Sequence, residues 1–253
     1  QSAHLGFDQE RVLTLDMPGS AGQPGRLDRA AALRGELLQT AGVESVSMTS
    51  ERFPSELLNG AGVTFEGAGV AVDTAAGLRM VGVAPEYFET LGVEPVAGRT
   101  FSRGRADTTG FVVNRAGYER IVEQMPEPPA SLRDAIGRPM VANWASRVEG
   151  PLLGVVENFH MATLRERVEP MVFFYDPRFI DTYVVRVGPG DVAPTLAALE
   201  ATWQRVFPDW PLQYQFADQA FDAAYRAEQQ MGRLFGVFAG LAAPVSAVRV
   251  GVA

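Results

Sequence analysis

Two hydrophobic periods alternate along the chain. Arg11–Met17 (RVLTLDM) is rich in Val, Leu and Thr with partial alternation, which predicts a strand. Pro18–Gly25 (PGSAGQPG) cannot hold regular structure and reads as a loop. Ala30, Leu33, Leu37 and Ala41 then recur at steps of three and four, the spacing of an amphipathic helix, closed by Gly42. Val43–Thr49 returns to a strand, completing a β-α-β opening.

The middle of the chain predicts strands at Gly62–Gly67, Leu78–Val83 and Phe111–Asn114, and three more in RPMVAN, PLLGVVENF and MVFFY. A short helix runs from Pro85, suited to a first helical turn, to Gly92. Another follows Asn114 and is stopped by Pro126, after which Pro126–Asp134 reads as a surface excursion. Towards the end, Tyr183–Val187 is a strand, and Asp191 can cap a helix with Leu196, Leu199, Trp203 and Val206 on one face. Leu212–Phe216 alternates as a further strand, giving a second β-α-β-α unit.

From Asp218 a long helix carries Phe221, Tyr225, Met231, Phe235 and Phe238 along one stripe. Phe221 and Tyr225 read as its packed face. Leu234–Ala242 (LFGVFAGLA) is apolar on every side, as a deeply buried or lipid-embedded helix is. Pro244, Ser246 and Arg249 interrupt it, so the stretch falls short of the about 20 residues that cross a bilayer. The start at Gln1, with no charged-then-apolar leader, gives the expectation of an excised fragment rather than a secretory precursor.

Composition narrows the chemistry. The 253 residues suffice for one large domain or two small ones with a substantial core. A net charge of −8 argues against nucleic acid as a partner. With no Cys there is no disulfide, thiol nucleophile or thiolate metal site. Of the two His, His160 stands three residues after Glu157, but at the end of an apolar strand that spacing points the pair to opposite faces, so a structural histidine is preferred to a metal ligand. No nucleophile elbow, phosphate loop or dinucleotide fingerprint occurs. Gly188–Asp191 (GPGD) reads as a turn and cap rather than an anion site, and Gly98–Arg105, with its clustered Arg, as a solvated loop rather than a grip on an acidic partner. No catalytic, cofactor or metal residue is assigned.

LGFDQERVLTLDM at the start, VAPEYFETLGVEPVAGRTFS (Val83–Ser102), AIGRPM with LLGVVENFHMATLRERVEPMVFF, and the run from Tyr183 to Ala242 together resemble the MacB-like periplasmic core domain of FtsX-type ABC transporter permeases. The resemblance implies an α+β fold of two subdomains: a discontinuous porter-like β-α-β part from residues 8–84 and 181–217, and an inserted middle α/β part from 85–180. A C-terminal stem helix, 218–242, would lead into a transmembrane helix. It further implies that a first membrane helix ends before Gln1 and that Leu234, Phe235, Val237, Phe238 and Leu241 form the membrane junction, with Ala243–Ala253 (APVSAVRVGVA) departing from the family pattern. The implied role is non-catalytic and without cofactors. Membrane-helix motion would be coupled to the handling of a lipoprotein, peptide or drug outside the inner membrane. The implied partners are a second permease copy or paralogue, a cytoplasmic ATPase subunit, a periplasmic partner protein and the membrane itself. Two other readings stay open: a hydrolase with an unrecognised carboxylate site, and a soluble partner-binding module.

Overall fold

The computed structural model describes residues 5–19, 25–54, 62–65, 71–72, 78–104, 109–143, 147–161, 168–227 and 230. In chain order the elements are β1 (Val12–Asp16), α1 (Arg26–Leu37), β2 (Val43–Thr49), β3 (Gly62–Phe65), β4 (Ala71–Val72), β5 (Arg79–Gly82), α2 (Tyr87–Leu91), β6 (Pro95–Gly98), β7 (Phe111–Asn114), α3 (Arg115–Val122), α4 (Leu132–Ala135), β8 (Pro139–Asn143), β9 (Arg147–Val156), β10 (Met171–Phe174), β11 (Thr182–Val187), α5 (Ala193–Val206) and β12 (Tyr214–Phe216). A further helix, α6, is described over 217–227. The fold is mixed α+β.

Both chain ends build one four-stranded antiparallel sheet of order β12-β1-β11-β2. This is a split β-α-β-β-α-β arrangement in which everything from β3 to β10 is inserted between its second and third strands. All six residues of β11 are buried, because both faces of the sheet are covered. Tyr183, Val185 and Val187 share a core with Leu13, Leu15, Val46 and Met48 beneath α1 and α5, where Leu33, Leu37, Leu199 and Trp203 meet them. Val184 and Val12 point the other way, as the two-residue period of a strand requires.

The second sheet has eight strands, in the order β4-β3-β8-β9-β7-β10-β5 with β6 paired to β9. Its strands also alternate: Phe111, Val113, Val172 and Phe174 face Tyr118, Ile121 and Ala135 of α3 and α4. Val81, Val112, Met171 and Phe173 face the opposite way and join Val12, Val184 and the aromatic side chains of α2 in one core. That core is common to both sheets. Asn114 fixes where β7 turns into α3. Its Oδ1 accepts from the Gly117 and Met171 amides at 2.8 Å each, while Nδ2 donates to the Glu169 carbonyl at 2.8 Å.

Several expectations need correction. β3, β4 and β5 pair into the eight-stranded sheet, so residues 8–84 do not contribute to one sheet throughout. Conversely α2, counted with the middle segment, packs on β2 and β11 of the four-stranded sheet. α1 stops at Leu37 rather than running to Ala41; the chain tightens there through i→i−3 bonds from Gln39 and Thr40, and the Thr40 hydroxyl donates to the Glu36 carbonyl at 3.1 Å. The excursion Pro126–Asp134 ends in α4, capped by the Ser131 hydroxyl accepting from the Asp134 amide. β6 was not foreseen: it is a four-residue edge strand held by β9 alone, with a single buried residue, Ala97.

Candidate functional site at the junction of the chain ends

Residues 5–8 run over the core common to the sheets and are tied down at both ends. The His160 amide donates to the Leu5 carbonyl at 2.7 Å, and the Asp8 amide donates to the Leu91 carbonyl at 3.0 Å. Gly6 lies between them at φ +85°, and a Cβ there would stand 2.5 Å from the Asn158 carbonyl oxygen, so only glycine lets this segment pass so close.

The turn drives Phe7 into an aromatic box. Its ring stacks on Phe53 at 5.5 Å, meets Phe159 edge-on at 6.2 Å, and lies 6.1 Å from the ring of Phe221, the first large side chain of α6. Phe221 also reaches Phe53 at 6.3 Å. Each aromatic pair contributes roughly 0.5–1.5 kcal/mol beyond area burial, so the two ends of the chain are joined by packing of real strength. Ala217 of α6 is buried in the same core, and Ala220 is buried as well. After Phe221 the helix stands clear of the body: Asp222, Ala223, Tyr225, Arg226 and Ala227 are exposed and only Ala224 is half-buried. Tyr225, expected on the packed face, is 44% exposed.

Arg186 of β11 fastens this junction from below. Its Nε donates to the Thr90 carbonyl at 2.8 Å, Nη2 to the Asp8 carbonyl at 2.8 Å, and Nη1 to Asp8 Oδ2 at 2.6 Å and to the Glu10 carbonyl at 3.4 Å. One guanidinium thus holds the N-terminal segment, the end of α2 and the central sheet together, as its rigid fork of donors permits. A single charged residue inside an otherwise apolar strand was the signal for it in YVVRV, since buried arginine is rare without partners.

The remaining sequence candidates fall elsewhere. Glu157 and His160 do not converge: the Glu157 carboxylate is engaged by Arg115 at 2.8 Å, which holds it below the usual carboxylate range, while burial lowers the pKa of His160. In the GPGD turn Asp191 Oδ1 accepts from the Ala193 amide at 3.0 Å, but the N-cap position of α5 is Val192 and has no side-chain cap, so Asp191 does not cap the helix as expected. In the Arg-rich loop, Arg103 and Arg34 of α1 both donate to Glu86 Oε2, at 2.8 and 2.9 Å; Arg105 lies outside the described residues. So do Leu234, Phe235, Val237, Phe238 and Leu241. Among the described residues no three His, Asp or Glu gather as metal ligands, and no helix is long and apolar enough to cross a membrane.

No protein-family model and no curated protein matches the chain. Among solved structures it is similar to the crystal structure of the periplasmic region of MacB from Actinobacillus actinomycetemcomitans, with a TM-score of 0.56 over 86% of this chain and 94% of that one, at 11% identity. The likeness is one of fold: an α+β architecture of the MacB periplasmic kind.

Two measurements test the junction. Arg186→Met should cost about 2–4 kcal/mol in urea unfolding, because it strips a donor from the buried Thr90 carbonyl and others from the part-buried Asp8 and Glu10 groups; a cost below about 1 kcal/mol would mean the staple is dispensable. Burial lowers the pKa of His160, so the unfolded chain binds its proton at a higher pH than the folded one. Stability should therefore fall as pH drops below about 6.5, the ordinary histidine value, and His160→Gln should flatten that fall; identical pH profiles would contradict this.

Proposed function

We propose that the chain is the extracytoplasmic domain of an FtsX-type ABC transporter permease of the inner membrane. In this reading it is non-catalytic. It couples movement of membrane helices, driven by a cytoplasmic ATPase subunit, to the handling of a lipoprotein, peptide or drug outside the membrane. A second permease copy or paralogue and a periplasmic partner protein complete the assembly.

The observation that carries the proposal is the joining of the chain ends. Phe7 and Phe221 meet at 6.1 Å, and the helix beyond Phe221 projects from the body. Two membrane helices, one before Gln1 and one containing Leu234, Phe235, Val237, Phe238 and Leu241, would then enter at one place. A displacement of either would act on the core that both sheets share. The fold likeness to the MacB periplasmic region and the family resemblance of the sequence support the same reading. In this proposal the discontinuous four-stranded sheet is the membrane-proximal, porter-like part and the eight-stranded sheet the inserted part.

The gene product that carries this segment should fractionate with membranes, expose the segment to protease on the outer side of spheroplasts, and co-purify with an ATPase subunit. Recovery in the soluble fraction with no ATPase attached would overturn the proposal.

A further inference from the structure

A cleft of about 320 Å³ opens between α1 and the connections that cross from one sheet to the other. Its walls are apolar, with Leu27 and Ala31 of α1, Met48 of β2 and Ile180 before β11. Its polar end is formed by Arg34 and Arg103, both of which line it. These two guanidiniums share a single carboxylate: Glu86 Oε2 accepts from Arg34 at 2.9 Å and from Arg103 at 2.8 Å. The trio therefore keeps one uncompensated positive charge.

At Arg34 that charge is poorly solvated, whereas Arg103 is 54% and Glu86 32% exposed. The Arg34 side chain is only 9% exposed, and its Nε is buried with no hydrogen-bond partner. Its pKa is lowered to about 10, first by burial and next by the nearness of Arg103, against the pull of Glu86. A buried cation with a donor to spare is stabilised by a further anion. Glu86 itself is held at φ +63°, a backbone conformation rare for a residue with a side chain and often kept where a site demands it.

We propose that this cleft binds a small amphipathic monocarboxylate, with the head group between Arg34 and Arg103 and a medium-length apolar chain along Leu27, Ala31, Met48 and Ile180. The single excess charge matches a monoanion. The volume, at the lower end for ligand pockets, matches a small molecule rather than a long lipid. The site stands on described residues only and does not depend on a transport role.

Octanoate titrated into the full chain and followed by calorimetry and NMR tests it. Saturable one-site binding is expected, with shifts at Ala31, Met48 and Ile180. Glu86→Gln removes the competing carboxylate and should tighten binding about three- to tenfold, whereas Arg103→Gln should weaken it by a similar factor. Ala31→Trp, on the exposed side of α1, should block the cleft and abolish binding without lowering the melting temperature. Octyl glucoside, octyl phosphate and inorganic phosphate should each bind at least tenfold more weakly. The proposal is overturned if octanoate shows no saturable site, if binding survives Ala31→Trp, or if the charge variants leave the affinity unchanged. Equal binding of the neutral glucoside would reduce the cleft to an apolar surface. Equal binding of octyl or inorganic phosphate would contradict the match to a monocarboxylate.

Discussion

β1 is hydrogen-bonded on both sides, to β11 from Val12 to Asp16 and to β12 from Leu13 to Leu15, and the rest of the architecture follows from that pairing. A strand from the start of the chain is locked between two from its end. The insertion of β3 to β10 must therefore leave and re-enter at the far side of the same sheet, between β2 and β11. α6 begins directly after β12, so the same pairing sets where the last described helix starts, and Phe221 closes on Phe7 as a consequence.

The second organising feature is the core that lies between the sheets. Val12, Val184 and Phe221 belong to the terminal sheet and its helix, Phe173, Val112 and Val156 to the inserted sheet, and they occupy one continuous apolar cluster. Close-packed interiors transmit displacement rather than absorb it. Polar ties run along the seam on both sides: Arg186 to Asp8 and Thr90 at one, Arg34 and Arg103 to Glu86 at the other. In the first tie every guanidinium nitrogen has an acceptor, whereas in the second Arg34 Nε has none, and this difference sets a structural staple apart from a binding cleft.

Local periodicity made much of this legible. Partial alternation in Arg11–Met17 and the largely apolar run Tyr183–Val187 foretold β1 and β11, and the Leu199–Trp203 step foretold the buried face of α5. What escaped was what no local period encodes. Phe7, Phe53, Phe159 and Phe221 are far apart in sequence, and each alone reads as an ordinary apolar residue; only the tertiary fold makes them a box. Asn114 looked like a strand end but binds three backbone groups across two elements. β6 is too short and too exposed to announce itself. Tyr225 satisfied the helical stripe yet lies past the point where α6 leaves the body, because a stripe reports which side of a helix is apolar and not how far the partner surface extends.

In the proposed reading the fold closes with β12 and Phe221, and the apolar ending belongs to a different environment. The most direct measurement compares the melting temperature of the 253-residue chain with that of one ending at Gln230. The account predicts a difference within about 2 °C, the equivalent of about 0.5–1 kcal/mol for a protein of this size, together with reduced self-association of the shorter chain. A fall of more than about 10 °C, the size expected when a core helix is removed, would contradict it.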